Sequence, residues 1–224
     1  MLLDTFSYIE HPNDERYWEL TEFKLNDINL IVGNNSSGKT RTLNVISGLS
    51  NLLTNPRIPF GNGYYRANFI DEEKNKIRYI VDISNGRIDK EELFHNDEKL
   101  IERDKTGSGY IRGIEIKQDL KIKIPYNELA ALRRDDIQFP YLNKLYNWAI
   151  QLRHFRFAKE HEKNTLAVVN SNKPKTEEFN LKETDKSIQI FSRGIEKYEK
   201  KFANKIIEDF NTIGYSIEKI ELGK

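Results

Sequence analysis

Residues 28–49 read INLIVGNNSSGKTRTLNVISGL. The stretch opens on Ile28, Leu30, Ile31 and Val32, and the longer segment 19–32 (ELTEFKLNDINLIV) ends in this apolar, β-branched run. Such a run predicts a strand buried on both faces. From Lys39 the texture changes. Leu43, Ile46, Leu49 and Leu52/Leu53 fall at helical spacing, and Asn55-Pro56 ends the helix. Strand, glycine-bearing loop and helix in that order predict an α/β fold.

The loop between them, Gly33-Asn34-Asn35-Ser36-Ser37-Gly38-Lys39-Thr40, fits GxxxxGK[ST] at every fixed position. Glycines let the backbone curl so that its N–H groups converge on an anion, and the helix behind adds its positive end. The expected ligand is ATP with Mg²⁺. Lys39 would meet the β- and γ-phosphates, the Thr40 hydroxyl would take one position on the metal, and the amides of Asn35 through Thr40 would form the cradle. Arg41, the next residue, joins the cofactor-binding set. A random chain of this length matches the pattern roughly once in a hundred, and the flanking strand and helix lower that further.

Composition narrows the partners. The 224 residues are 32% charged with a net charge of +1, so no global basic field points to nucleic acid. The absence of cysteine excludes a disulfide framework, a thiolate metal site and a cysteine nucleophile, and fits a reducing cytoplasm. The N-terminal residues lack the pattern of a signal peptide, and no apolar run approaches membrane-spanning length. The expectation is a cytoplasmic chain with no membrane partner.

Downstream, 64–70, 77–83, 87–94 and 99–103 are short strand-like runs, with Asn85-Gly86 and Asn96-Asp97 as turn pairs. Ile114, Ile116, Leu120, Ile122 and Ile124 occupy even positions, as in a strand or hairpin with one wet face. Residues 64–124 therefore read as an antiparallel meander. A helix is expected over 141–157. A longer one carries Ile188, Phe191, Ile195, Tyr198, Phe202, Ile206, Phe210 and Ile213 on one stripe, with Thr184 or Asp185 as cap and Gly214 as stop. A short strand, YSIEKIEL, follows. The regions are 1–60 (phosphate-binding core), 61–126 (β lobe) and 127–224 (mainly helical).

INLIVGNNSSGKT closely resembles the loop of ABC-type ATPases of the RecF, SMC and OLD-like group, often described as AAA-family ATPases. About thirteen residues carry the resemblance at motif level, and the layout extends it over roughly the first 125. It implies the N-terminal lobe of an ABC-type P-loop NTPase with an antiparallel β subdomain and a helical C-terminal region. It also implies ATP-driven homodimerisation through the nucleotide sites, and action in DNA repair or anti-phage defence with DNA or an effector protein as partner. An aromatic side chain upstream of the loop stacks on adenine in such proteins. Tyr17 and Trp18 stand there, with Trp18 taken into the site set and an ordinary packing role as the alternative for both. Gln138 and Gln151 lie where a metal-sensing glutamine is expected, without a motif around either.

Two departures matter. No wholly apolar strand ends in Asp-Glu, and no LSGGQ-like segment is present. Tyr79-Ile80-Val81-Asp82 reads as a hairpin strand, Thr165–Asn170 ends in Asn, and Ser47-Gly48-Leu49-Ser50 sits inside the first helix. The catalytic residue is therefore unassigned. The chain reads as the ATP-binding part of a longer ATPase, its hydrolytic motifs supplied elsewhere. The rival expectations are a module that uses ATP as a structural switch and a small P-loop kinase. His11, His95, His154 and His161 show no ligand spacing. Arg112, Lys117, Lys121, Lys123, Arg133 and Arg134 form a locally basic stretch, read as the wet face of an edge strand before a phosphate-contacting surface.

Overall fold

The structure is a computed structural model and describes residues 1–12, 14–55, 62–154 and 187–220, the side chains of 187–190 apart. The chain divides into two units, Met1–Leu152 and Arg153–Lys224.

The first unit is one open sheet of eight strands in the order β2-β1-β3-β4-β5-β6-β7-β8. The strands are β1 Leu2–Glu10, β2 Trp18–Lys24, β3 Gly63–Ile70, β4 Lys76–Ser84, β5 Arg87–His95, β6 Glu98–Arg103, β7 Ser108–Gly113 and β8 Gln118–Lys123. Every adjacent pair is antiparallel. Turn chemistry sets the register of the meander. Asn85 and Gly86 have φ of 51° and 71°, and Asn96 and Asp97 have 48° and 68°. Positive φ at both central residues gives the two-residue hairpins whose twist matches the strands they join.

Period-2 alternation puts one face of the sheet into the core. Phe6 pairs with Ala67, Ala67 with Tyr79, Tyr79 with Leu93, Leu93 with Ile101 and Ile101 with Ile111. All of these side chains are buried. Burying each large one is worth about 2 kcal/mol. Helices α1 (Lys39–Leu52) and α2 (Pro140–Gln151) join this core through Val45, Leu49, Leu52, Leu142, Leu145 and Ala149. The Ser50 hydroxyl of α1 donates to the Ala149 carbonyl of α2 over 2.7 Å. A single 3-10 turn, Ala130–Leu132, docks beside β5, where the buried Glu91 carboxylate accepts the amides of Ala130 (2.6 Å) and Ala131 (2.9 Å) and the Tyr79 hydroxyl (2.9 Å).

This architecture corrects the expected fold class. An all-antiparallel, mostly β sheet stands where a parallel-sheet P-loop NTPase lobe was expected. The physical reason lies in how α1 is joined. It connects β2 to β3, but β1 lies between them and pairs antiparallel with both, so no parallel ladder forms. The run Ile28–Val32 is in no strand. Ile28, Leu30 and Val32 are 91%, 86% and 76% exposed, the opposite of a doubly buried strand. Ile114 and Ile116 fall in the turn between β7 and β8, and both are exposed.

In the second unit the expected long helix is two, α3 (Ser187–Tyr198) and α4 (Lys200–Thr212), broken at Glu199 with φ 52° and ψ −139°. The chain turns back on itself there. A Cβ on Gly194 would sit 2.2 Å from the Phe202 ring, so only glycine allows that approach. Phe191 and Phe202 have ring centroids 6.0 Å apart. Gly214, at φ 90°, follows the end of α4 in the left-handed conformation that stops helices, with Phe210 and Tyr215 edge to face at 6.3 Å. Residues 215–220 form no strand. The helix expected over 141–157 ends at Gln151, with Leu152 extended, and its residues 155–157, the expected caps Thr184 and Asp185, and the run Thr165–Asn170 lie outside the described residues.

Candidate functional site

The loop 33–40 bends as its glycines require. Gly38, at φ 92°, is the residue before α1, and Ser36 is also left-handed at 65°. Left-handed residues at alternate positions turn successive amides to one side, the geometry of an anion nest. The Ser37 amide bonds to the Asn34 carbonyl at 3.3 Å, and the Ser37 side chain lies against the Gly33 Cα, where a Cβ would meet it at 2.6 Å. No side chain caps α1 and no acidic residue stands in its first turn. The amides of Lys39, Thr40 and Arg41 have no acceptor among the described residues.

Lys39 closes the loop on itself. Its ammonium donates to the carbonyls of Gly33 (2.7 Å) and Asn34 (2.6 Å), which uses two of its three protons. The side chain thus already lies across the concavity. Thr40, next in the first turn, is exposed.

Trp18 begins β2 and packs on the loop: a Cβ on Gly38 would sit 3.5 Å from the indole. The Arg41 guanidinium lies over the same ring, 4.4 Å from its centroid, and Tyr8 is 5.8 Å away on a tilt. Arg41 also pairs with Glu10 at 2.5 Å. The structure therefore brings together Trp18, the loop and Arg41. Tyr17 points elsewhere, half-exposed, its hydroxyl bonded to Glu19.

Behind Trp18 stands an aromatic wall. Tyr8 and Tyr65 are 4.6 Å apart, and the Tyr8 hydroxyl donates to the Asn62 carbonyl at 2.9 Å. Burial pushes the Tyr65 phenol up to about 12 and the Tyr8 phenol higher still, so both stay neutral across the physiological range. A Cβ on Gly63 would strike the Tyr8 ring at 2.5 Å, so this wall needs glycine opposite it.

Comparison with family models, with curated proteins and with solved structures gave no match.

Gln138 is not part of the site. Its side-chain oxygen lies against Gly113 at the end of β7, five strand steps from β1, or roughly 24 Å across the sheet. Gln151 ends α2, exposed. Asp82 lies within β4 opposite Tyr64 and Lys90, and burial raises its carboxyl. Ser47–Ser50 belongs to α1, where Gly48 faces the Tyr65 hydroxyl. No group of three or more His, Asp or Glu side chains suited to a metal exists among the described residues. No helix among them is long and apolar enough to cross a membrane.

Glu10, through Arg41, and Tyr8, through Trp18, join the site without having been expected there, and His11 stands behind Glu10. The signal lay in residues 2–10, LLDTFSYIE, where Phe6 and Tyr8 sit two apart across the polar Ser7, as one face of a strand requires. Read as a strand beside 18–24, that segment brings its last residues to Trp18.

Proposed function

We propose that residues 33–41 bind the phosphates of a nucleoside triphosphate, ATP with Mg²⁺, and that turnover depends on an acidic group from elsewhere. The observation that carries this is the loop itself: two left-handed residues, an uncapped helix start free of acid, and Lys39 folded across the concavity. The donor set fits the metal as well as the anion. Magnesium takes phosphate oxygens, water and few protein ligands, and the exposed Thr40 hydroxyl at the helix start would be such a ligand. Bound there, Mg²⁺ would neutralise charge on the β- and γ-phosphates. Triphosphate would draw Lys39 from the Gly33 and Asn34 carbonyls, a charge-assisted contact in place of two neutral acceptors.

The acid that would orient water has no counterpart at the loop among the described residues. Glu10 is the nearby carboxylate, and it is committed to Arg41. Binding with little or no hydrolysis follows. Titration with a fluorescent ATP analogue and Mg²⁺ tests it: Lys39→Ala should weaken binding at least about tenfold. Equal binding by the variant, or release of phosphate from the native chain well above the Lys39→Ala level, would overturn the reading.

A second reading, a module in which ATP acts as a switch for self-association, draws support from the exposed run Ile28–Val32 directly before the loop. Light scattering at saturating Mg·ATP tests it, and an unchanged mass ends it.

A further inference from the structure

We propose that Glu10 restrains nucleotide binding by holding Arg41 away from the phosphate cradle; the proposal rests on the nucleotide-binding reading above. Arg41 is the third residue of α1. Side chains on a helix lean toward its N-terminus, so an unrestrained Arg41 would extend over the mouth of the loop. Here it is held beside the loop, against Glu10 and Trp18. Its Nη2 lies 2.5 Å from Glu10 Oε2 while its guanidinium plane covers Trp18.

The two residues that hold it are themselves fixed by one rung of the sheet, because Glu10 and Trp18 are direct partners in the β1–β2 ladder. The second Glu10 oxygen is 3.5 Å from His11 Nε2, and His11 Nδ1 is 3.2 Å from the Asn62 amide nitrogen, so His11 flanks the carboxylate on the side away from Arg41. At the loop, Lys39 and Arg41 supply two positive charges and Glu10 cancels one. The pair remains breakable: the Arg41 and Glu10 side chains are 42% and 23% exposed, so water screens them in part. A triphosphate offers guanidinium several anionic oxygens in bidentate geometry against one carboxylate, and it wins the competition at a cost in affinity.

The test is a set of Kd values for Mg²⁺ and a fluorescent ATP analogue on the full chain. Glu10→Gln should bind about fivefold tighter than the native protein. Glu10→Gln combined with Arg41→Ala should bind no tighter than Arg41→Ala alone, because the effect runs through Arg41. Native binding that depends on Lys39, together with a Glu10→Gln variant that binds equally or more weakly, overturns the restraint and leaves the nucleotide reading standing. Native binding that is absent or indifferent to Lys39→Ala removes both.

A second measurement does not depend on the Glu10 variants keeping their fold. The chain has two tryptophans, so Trp148→Phe leaves Trp18 as the sole indole. Saturating Mg·ATP should change Trp18 emission as Arg41 leaves the ring. Unaltered emission at saturation overturns the proposal.

Discussion

Lys144 donates to Asp71 Oδ2 over 2.7 Å and so joins the middle of α2 to the β3–β4 turn. The carboxylate also accepts the amides of Asn75 (2.8 Å) and Glu73 (3.0 Å). The Lys144 bond, seconded by the Asn75 bonds, holds the Asp71 carboxyl well below the usual carboxylate range. A depressed folded-state pKa stabilises above the unfolded value, and the contribution is lost as pH falls from about 4 through the folded value. Asp71→Asn should therefore melt below the native protein at pH 7, with the gap closing under strong acid. A gap of constant size from pH 7 to 2 would refute the linkage.

Glu91 has the opposite sign. Burial raises its carboxyl despite the bonds from Ala130, Ala131 and Tyr79, so acidification toward the unfolded value favours the folded state at this site. Its cross-strand partner Arg103 is equally buried, with Nε and Nη1 lacking hydrogen-bond partners among the described residues and one nitrogen bonded to the Pro125 carbonyl. Glu91→Ala leaves two amides and that cation uncompensated and should cost about 3 kcal/mol by urea denaturation at pH 7. Arg103→Met, which removes the unsatisfied nitrogens, should cost less.

Gly194 and Phe202 hold the α3–α4 turn closed. Gly194→Val places a methyl-bearing carbon within the Phe202 ring's own space, so the ring contact between Phe191 and Phe202 should vanish from nuclear Overhauser spectra. Retention of that cross-peak would show that the turn does not need the close approach.

Leu30 makes a simple control in the exposed run 28–32. Its side chain is 86% exposed, so Leu30→Lys should change unfolding free energy by less than about 0.5 kcal/mol. A loss of several times that size would mean the side chain is buried in solution.

The legible parts of the sequence were those with local causes. Asn85-Gly86 and Asn96-Asp97 need positive φ, and the turns form there. The helix at 39–52 follows from its apolar spacing, and the loop from its glycines. What misled was context. The apolar run 28–32 has the composition of a buried strand, but burial depends on neighbours, which no short window contains. Glu199 breaks an apolar spacing that continues through it from Tyr198 to Phe202, so periodicity alone joined α3 and α4. Near the loop, Trp18 stands out by its position ahead of it, and its indole does pack against Gly38. Glu10 does not, because an ion pair spanning 31 residues leaves no mark on either partner's surroundings.

The placement of β1 between β2 and β3 also sets an order of assembly. Strands β3 to β8 are consecutive hairpins that close over short distances along the chain. Pairing Tyr8 with Tyr65, by contrast, must gather the whole intervening segment at a far larger entropic cost. The loop 33–40 lies inside that gathered segment. Amides of β4 to β6 should thus gain protection first in pulsed hydrogen exchange, and the end of the sheet that carries the loop 33–40 should be the last part to form.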